Sequence, residues 1–302
     1  MNKLYSGEIA LTVGTFDGVH IGHQSLLKKT AEIAGKRGIK SAAYTYLVPP
    51  KRYFTGGEPP LIIPPKKKIT VLNEYVDEVI VGNFDNVKNL SPGDFVENIL
   101  IHDLRVDAVI VGTDWRFGND RTGTISDLSE LAKNRFTIHP QNQVMKFGRP
   151  VSSTWIRDLL RKGKIDQAGE LLGRYPSLSG KVVKGDSIGR QVGYPTANLD
   201  VDNRVVLPPP GSYAAIVHLG NKKFGGAAYV GTRPTFDKVK PQVEVHVINF
   251  DGEIYGEEIE IDLVKFISPS KRYASKEELQ GAIEDIITEI EKVLEAENLK
   301  AI

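Results

Sequence analysis

The sequence predicts an α/β plus β protein, in which a doubly wound parallel-sheet domain precedes an antiparallel β-barrel with a terminal helix. Strand-like and helical patterns alternate through the first half of the chain, as in parallel sheets. Short β-rich runs punctuated by glycine and proline fill the second half, as in barrels. The length of 302 residues suits two domains, which we place at 1–174 and 175–302.

Five apolar runs are the predicted strands of the first domain, with four helical patterns between them. The predicted strands are Ile9–Val13, Ser41–Tyr46, Val79–Val81, Ala108–Val111 and Phe136–Ile138. The predicted helices run from about Ile21 to Lys36 and over Lys67–Glu74, Ser91–Ile101 and Ser126–Lys133. Ser91 is the expected N-cap of its helix, because Pro92 follows in the first turn. Ligands of such sheets bind at the carboxyl ends of the strands, where Gly14 and Gly112 lie.

A segment rich in proline and glycine, Pro49–Pro65, interrupts this alternation. Long irregular loops in compact domains are often lids or binding loops. The segment is therefore either a lid or a loose insertion, and the sequence leaves both open.

The second domain is predicted from five β-rich runs, a hairpin turn at Asp251-Gly252 and one long helix. The runs are Lys181–Val183, Tyr213–His218, Gly226–Val230, Val243–Asn249 and Ile259–Val264. The helix covers Lys276–Ala296 and carries one apolar stripe. We expect the stripe to pack against the barrel rather than to form a coiled coil.

The composition excludes several classes of protein. The chain has no cysteine, so disulfides and thiol catalysis are excluded. It has no apolar run of the roughly 20 residues that a membrane span needs, and no signal-peptide core follows Met1. We therefore expect a cytoplasmic protein without a membrane partner. The net charge of +1 gives no reason to expect nucleic acid binding, and the oligomeric state stays open.

The most informative motif is His20-Ile21-Gly22-His23, at the turn from the first strand into the first helix. A helix N-terminus favours anions, and Gly14 and Gly22 let the backbone approach a ligand closely. Two imidazoles at this position suit the charge of a phosphoryl group in a transition state. The alternatives are a zinc half-site, which no cysteine can complete, or two surface histidines.

Two further turns of the first domain have residues that suit phosphate or ribose. The segment Gly112–Gly118 leaves a strand through a glycine turn, and its Asp114 either contacts a ribose or base or only closes an Asx turn. Ser152, Ser153 and Thr154 open a helix, and one of these hydroxyls is the expected N-cap. Exposed amides there, with Arg157 one turn later, would clamp a triphosphate.

The barrel contains one segment dense in glycine, hydroxyl and amide, Gly185–Asn198. Gly185 and Gly189 could form a flap over phosphates, and Thr196 and Asn198 offer two oxygen ligands on the same side of an extended chain. Such oxygens suit Mg²⁺ that bridges ATP phosphates. The alternative is a proline turn whose polar groups are satisfied internally.

Glu244 and His246 lie in an alternating strand and share one of its faces. If that face points into the mouth of the barrel, Glu244 can take a proton from a hydroxyl nucleophile. If it points outward, both are ordinary surface residues.

The three turns of the first domain resemble the N-terminal module of bacterial bifunctional riboflavin kinase/FAD synthetases, a nucleotidyltransferase-like fold. The matching segments are Gly14–His23, Gly112–Gly118 and Ser152–Arg157. The resemblance implies that ATP and Mg²⁺ adenylylate FMN, with His20 and His23 neutralising charge at the α-phosphorus. It implies nucleotide and flavin contacts at Gly14, Phe16, Asp17, Gly22, Gly112, Asp114, Phe117, Ser152, Ser153, Thr154 and Arg157.

The second domain resembles the riboflavin kinase module of the same family. The resemblance rests on Gly189-Arg190, Gly193, Pro195–Asn198, Gly231–Phe236, Glu244 and Asp251–Gly256. It implies Thr196 and Asn198 at the metal, Glu244 as the general base for the ribityl 5′-hydroxyl, and nucleotide contacts at Gly185, Gly189, Arg190 and Pro195. Three positions depart from the family pattern: Trp115, Tyr229 and Ser268.

The expected function is the phosphorylation of riboflavin to FMN followed by the adenylylation of FMN to FAD, with release of pyrophosphate. ATP is the co-substrate of both steps. One alternative is an aminoacyl-tRNA synthetase, but Ser152-Ser-Thr stands where those enzymes have a lysine-containing loop. Another is a single-activity or regulatory flavin-binding homologue with one inactive module.

Overall fold

The chain divides into two units. The computed structural model describes residues 8–47, 60–185, 189, 193–234 and 239–297. The first unit consists of residues 1–59 and 64–153, and the second of residues 60–63 and 154–302. This division lies N-terminal to the expected boundary at 174/175, which stays a prediction for where an independently folding fragment begins.

Five strands form one parallel sheet in the first unit. They are β1 (Ile9–Val13), β2 (Lys40–Thr45), β3 (Glu78–Val81), β4 (Val106–Gly112) and β5 (Thr137–Gln141). Their order is β3-β2-β1-β4-β5, and every neighbouring pair is parallel. The strand order reverses between β1 and β4, so the loops that leave these two strands border the crevice in which doubly wound sheets bind ligands. The predicted fold class of this domain is confirmed.

The helices of the first unit cover the sheet. They are α1 (Ile21–Arg37), α2 (Pro65–Asn73), α3 (Phe84–Val87), α4 (Pro92–Asp94) and α5 (Ile125–Ala132). The strand β1 is buried over its whole length. Its residues Ile9, Leu11 and Val13 belong to the larger core cluster, whereas Ala10 packs with Ile33 of α1.

The helix predicted from Ser91 differs in type from the expectation. The Ser91 side chain does accept a hydrogen bond from the Asp94 amide, at 3.1 Å, as expected of the N-cap. However, α4 continues as a π-helix, Phe95–Asp103, in which the Leu104 amide donates to the Ile99 carbonyl at 3.0 Å. Hydrophobic periodicity over so short a segment does not separate this helix type from an α-helix.

The remaining short elements of the first unit follow the sheet. They are the 3₁₀ turn Asn119–Arg121 and the hairpin of β6 (Met145–Lys146) and β7 (Arg149–Pro150). Of the predicted irregular loop, residues 48–59 lie outside the described residues, and Pro65 already begins α2. Leu61 pairs with Val205 within the second unit.

The second unit contains a closed six-stranded barrel. Its strands are β8 (Ser177–Val183), β9 (Ala197–Val201), β10 (Gly211–Leu219), β11 (Lys222–Pro234), β12 (Val239–Val247) and β13 (Glu258–Pro269). The order around the barrel is β10-β11-β12-β9-β8-β13, and all pairs are antiparallel. The predicted barrel is confirmed.

The helices α6 (Ser153–Arg161), α7 (Ile165–Leu172) and α8 (Lys276–Ala296) accompany the barrel. The apolar stripe of α8 packs against the barrel as predicted, because Ile290 and Leu294 are buried in one cluster with Ala214, Ile216 and Val264. Within the described part of the chain, no helix is both long and apolar enough to cross a membrane.

Candidate active sites

The turn from Gly14 to His20 joins the carboxyl end of β1 to α1, at the edge of the sheet where the strand order reverses. Its backbone is strained, because Phe16 and Val19 have φ angles of 51° and 41°. A positive φ at the β-branched Val19 is a true outlier. Such strain costs about 1–3 kcal/mol per residue and persists where the surroundings over-determine the conformation. Both side chains are fully buried, and the ring of Phe16 lies against Gly14.

Neighbouring elements hold this turn through its backbone groups. The Gly14 amide donates to the Tyr44 carbonyl of β2 at 3.0 Å. The Thr15 carbonyl accepts hydrogen bonds from two side chains, Thr45 Oγ1 at 3.0 Å and Lys68 Nζ at 3.1 Å. These contacts fix the first half of the turn to β2 and α2.

The second half of the turn is held by the helices that follow it. The hydroxyl of Ser153 donates to the Asp17 carbonyl at 2.9 Å, and Gln24 Nε2 donates to the Val19 carbonyl at 2.9 Å. The Ser153 bond brings the first residue of α6 beside the histidine turn. A phosphate contact of Ser153 stays a prediction.

The two histidines of the motif stack on each other. Their ring centroids are 3.6 Å apart with 19° between the planes, and the Phe16 ring meets His23 edge-on at 5.2 Å. His20 is the N-cap of α1, and its Nδ1 accepts from the His23 amide at 3.3 Å. A neutral His20 therefore carries its proton on Nε2 and can donate it outward. Gly22 avoids a tight contact here, since a Cβ would lie 3.1 Å from the His20 ring.

This pair favours an anion rather than zinc. Two imidazolium rings stacked at van der Waals distance would repel each other, whereas a phosphate beside them would offset the repulsion. Among the described residues, no group of three or more His, Asp or Glu side chains could hold a metal ion.

The turn after β4 presents one exposed carboxylate and one buried ring. Gln143 donates to Asp114 Oδ2 at 2.8 Å. Asp114 Oδ1 lies close to Gly112, since a Cβ on that glycine would be 2.9 Å from this oxygen. Phe117 is buried, and Trp115 stacks on it at 4.8 Å and 12°. The departure at Trp115 therefore keeps an aromatic surface, while Phe117 supports it from the core.

The helix α6 carries the other predicted phosphate contacts. Ser152 precedes it, and Thr154 is exposed at its start. Thr154 and Arg157 belong to the second unit, where Arg157 is buried and its Nε donates to the Pro60 carbonyl at 2.7 Å. A phosphate role for Arg157 stays a prediction.

In the second unit, the predicted base and metal residues form one row on the outer face of the barrel. Glu244 of β12 pairs directly with Asn198 of β9 on one side and with Tyr229 of β11 on the other. Directly paired residues share a face of the sheet. The neighbours Val243 and Val245 are buried in the barrel interior. The site is therefore not in the mouth of the barrel. From the sequence alone, a catalytic role is expected for Glu244 only if its face points into that mouth.

Two glycines that precede β9, Gly185 and Gly189, lie close to this row of side chains. A Cβ on Gly185 would overlap the Asn198 amide, and a Cβ on Gly189 would overlap the Tyr194 carbonyl and lie 3.3 Å from Thr196 Cγ2. Each glycine thus lies close to one of the two predicted metal ligands, and the flap over phosphates stays a prediction. Arg190 lies outside the described residues.

Glu244 is held by two hydrogen-bond donors. Thr196 Oγ1 donates to Glu244 Oε2 at 3.3 Å, and Gln242 Nε2 donates to Glu244 Oε1. Because the Thr196 hydrogen points to the carboxylate, the lone pairs of its oxygen remain available to a cation. The carboxylate is therefore positioned beside the oxygen that would bind the metal.

His246, the competing candidate for the base, is engaged elsewhere. Its Nδ1 donates to the Pro195 carbonyl at 2.8 Å, and its ring meets Tyr194 edge-on at 5.5 Å. The side chain thus holds the backbone just before Thr196. The geometry favours Glu244 over His246 as the base.

Two functional candidates were missed by sequence reasoning, Lys68 and Gln242. Lys68 is 3% exposed and occupies the buried face of α2 with Val71 and Leu72. A lysine in the apolar stripe of a helix is a signal that could have identified it. Gln242 had no comparable signal, because it lies two residues before Glu244 on an ordinary alternating strand.

Comparison with known proteins gives the same division of the chain. Models of the FAD synthetase and riboflavin kinase families match residues 3–155 and 172–294. A bifunctional riboflavin kinase/FMN adenylyltransferase from Buchnera aphidicola subsp. Schizaphis graminum is 35% identical over 96% of this chain and 95% of that protein. The protein of that name from Escherichia coli K12 is 36% identical over 90% of this chain and 88% of its own length.

One solved structure resembles the whole chain. It is titled a macrolide-efflux protein from Streptococcus pneumoniae, has a TM-score of 0.87 and is 28% identical. The similarity covers 94% of each chain.

Proposed function

The chain belongs to the bifunctional riboflavin kinase/FMN adenylyltransferase family, and we propose that its two units catalyse the two successive reactions. The observation that carries the proposal is that each unit has its own group of residues whose chemistry suits a phosphate. The first has a stacked histidine pair on a strained turn at a helix N-terminus. The second has the Glu244 carboxylate beside the side-chain oxygens of Thr196 and Asn198, close to Gly185 and Gly189.

In the second unit, riboflavin is the nucleophile. Its ribityl 5′-hydroxyl attacks the γ-phosphorus of ATP, the bond from that phosphorus to the β-phosphate oxygen breaks, and ADP leaves. Glu244 takes the hydroxyl proton, which a neutral alcohol must lose to become an effective nucleophile. Thr196 and Gln242 hold the carboxylate in place.

In the first unit, the product FMN is the nucleophile. A phosphate oxygen of FMN attacks the α-phosphorus of a second ATP, and pyrophosphate leaves as FAD forms. No general base is needed, because the attacking oxygen already carries negative charge. His20 and His23, at the positive end of the α1 dipole, stabilise the charge that develops at the α-phosphorus.

The residues of the second unit fit Mg²⁺. Thr196 and Asn198 supply hard oxygen ligands, which Mg²⁺ prefers, and phosphate oxygens and water would complete its coordination. Bound there, the ion would neutralise negative charge on the ATP phosphates. The first unit would take Mg²⁺ together with ATP, whose phosphate oxygens would supply ligands to the ion.

The test is to incubate the purified chain with riboflavin, ATP and Mg²⁺ and to separate the flavins over time. We expect FMN to appear first and FAD to follow. Formation of FMN without FAD would instead indicate the single-activity homologue. So would formation of FAD from supplied FMN when no FMN forms from riboflavin. Binding of flavin without turnover would indicate a regulatory protein. The expected location of this metabolic chemistry is the cytoplasm, where ATP is available.

A further inference from the structure

A buried lysine lies under the histidine turn of the first unit. Lys68 of α2 is 3% exposed. Its ammonium donates to the Thr15 carbonyl at 3.1 Å and to the Tyr46 carbonyl after β2. Lys68 thus connects the first residues of the turn to the end of β2.

The need for this connection follows from the strain in the turn. Phe16 and Val19 hold positive φ angles only because neighbouring elements prevent relaxation. The Thr15 carbonyl directly precedes Phe16, and only two side-chain bonds to it are present among the described residues, from Thr45 and Lys68. Loss of the Lys68 bond would free one of the two contacts that fix the start of the strained segment.

The charge of Lys68 needs a separate explanation, because a neutral donor could make the same hydrogen bonds. Two carbonyl dipoles solvate the ammonium, and Asp17 on the turn is the carboxylate that interacts with it. This compensation is incomplete, since burial lowers the pKa of Lys68 to about 8. A buried cation that its own protein compensates only in part suits a site that receives an anion.

We infer that Lys68 is a positioning residue for adenylyl transfer, which fixes the turn that carries His20 and His23 and retains a positive charge beneath the triphosphate bound there. The inference rests on the proposed adenylyltransferase activity of this unit. Lys68 acts through the Thr15 carbonyl and through its electrostatic field.

The inference has a consequence for the pH dependence of this reaction. The titratable groups on the segments that Lys68 contacts are Asp17 and His20 on the turn and the phenols of Tyr44 and Tyr46. Burial raises the pKa of both phenols, so they stay neutral where Lys68 titrates. Deprotonation of Lys68 therefore removes one positive charge from the site as the pH rises through about 8.

The experiment compares Lys68→Met, Lys68→Arg and the exposed neighbour Lys66→Met in the full-length chain. We measure kcat and the KM for ATP in FAD formation from FMN over a pH range on both sides of the Lys68 pKa. Riboflavin phosphorylation by the same preparation is the internal control. We expect Lys68→Met to lower kcat/KM for ATP about 10- to 100-fold, the cost of misplacing catalytic groups slightly. The kinase reaction and Lys66→Met should stay at the wild-type level.

The pH profile separates the proposed role from mere structural support. In the wild type, kcat/KM for ATP should fall as Lys68 deprotonates. Lys68→Arg should keep its activity across this range, because a guanidinium stays charged. A flat wild-type profile, or an unchanged kcat/KM in folded Lys68→Met, would overturn the inference. If Lys68→Met does not fold, the wild-type and Lys68→Arg profiles decide. Absence of FAD formation in the wild type would instead refute the proposed function.

Discussion

Replacement of Glu244 by Gln isolates the basicity of its carboxylate from its shape. In the structure, Gln242 donates to Oε1 and Thr196 donates to Oε2 at 3.3 Å. A glutamine at 244 keeps one oxygen that can accept from Gln242. Its amide group would face Thr196, whose hydroxyl can rotate to accept instead of donate. We therefore expect the fold to lose at most about 1 kcal/mol of unfolding free energy.

The rise in activation free energy of the kinase reaction in Glu244→Gln should be much larger than this loss of unfolding free energy. Loss of a positioned general base typically costs ~10²–10⁴-fold in rate. This range corresponds to about 3–5.5 kcal/mol of activation free energy, at about 1.4 kcal/mol for each tenfold change. The expected rise in activation free energy is thus several times the expected loss of unfolding free energy. A drop in kinase turnover with little change in melting temperature can therefore be attributed to the loss of the general base.

The assay measures FMN formation under saturating riboflavin and ATP, together with riboflavin affinity by quenching of flavin fluorescence. FAD formation from supplied FMN serves as the control, and we expect it to survive in Glu244→Gln. The matched variant is His246→Asn, whose amide can still donate to the Pro195 carbonyl that His246 Nδ1 contacts. Normal kinase turnover in Glu244→Gln and a large loss in His246→Asn would refute the assignment of the base.

Three further predictions concern the two units and the buried lysine. Replacing both His20 and His23 by Ala should abolish FAD formation and leave FMN formation near the wild-type rate, and a parallel loss of both products in a folded variant would contradict separate sites. Fragments 175–302 and 154–302 should both phosphorylate riboflavin, but the shorter should melt at a lower temperature because it lacks the buried side chains of α7; equal melting temperatures would contradict this. For Lys68, the pKa falls from its usual 10.5 to about 8 on folding. Below about pH 8, Lys68 is protonated in both the folded and the unfolded chain, and the cost of burying its charge fully reduces the stability of the fold. Between about pH 8 and 10.5, only the unfolded chain holds the proton. The wild type should therefore gain about 3 kcal/mol of unfolding free energy relative to Lys68→Met as the pH rises through this window, as denaturant titrations would measure.

The sequence predicted those parts of the sites that lie in one contiguous segment. The histidine turn could be identified because strand, glycines, histidines and helix follow each other directly, and Ser153 Oγ does meet this turn. The conformations of Phe16 and Val19 could not be predicted, because contacts from β2, α2 and α6 impose them. Phenylalanine and valine are not residue types that usually adopt a positive φ angle.

The sequence also left open on which side of the barrel wall the kinase site lies, for a different reason. Alternation in β12 shows that Glu244 and Val245 face opposite sides, and the buried valines belong inside. That pattern alone favours the outer face for Glu244. What the sequence could not supply is the close approach of Gly185 to Asn198 and of Gly189 to Thr196.

The two sites solve opposite electrostatic problems. Riboflavin attacks as a neutral alcohol, so the second unit needs a carboxylate to take its proton, and a carboxylate near ATP in turn calls for a cation between them. Thr196 and Asn198 stand beside Glu244 where such a cation would bind. FMN attacks as an anion, so the first site needs no general base, and the carboxylate of Asp17 on its turn interacts with the Lys68 ammonium. There the turn brings together two imidazoles, a helix N-terminus and the buried ammonium of Lys68. The charge of each nucleophile thus accounts for the residue types that each unit places around its phosphate.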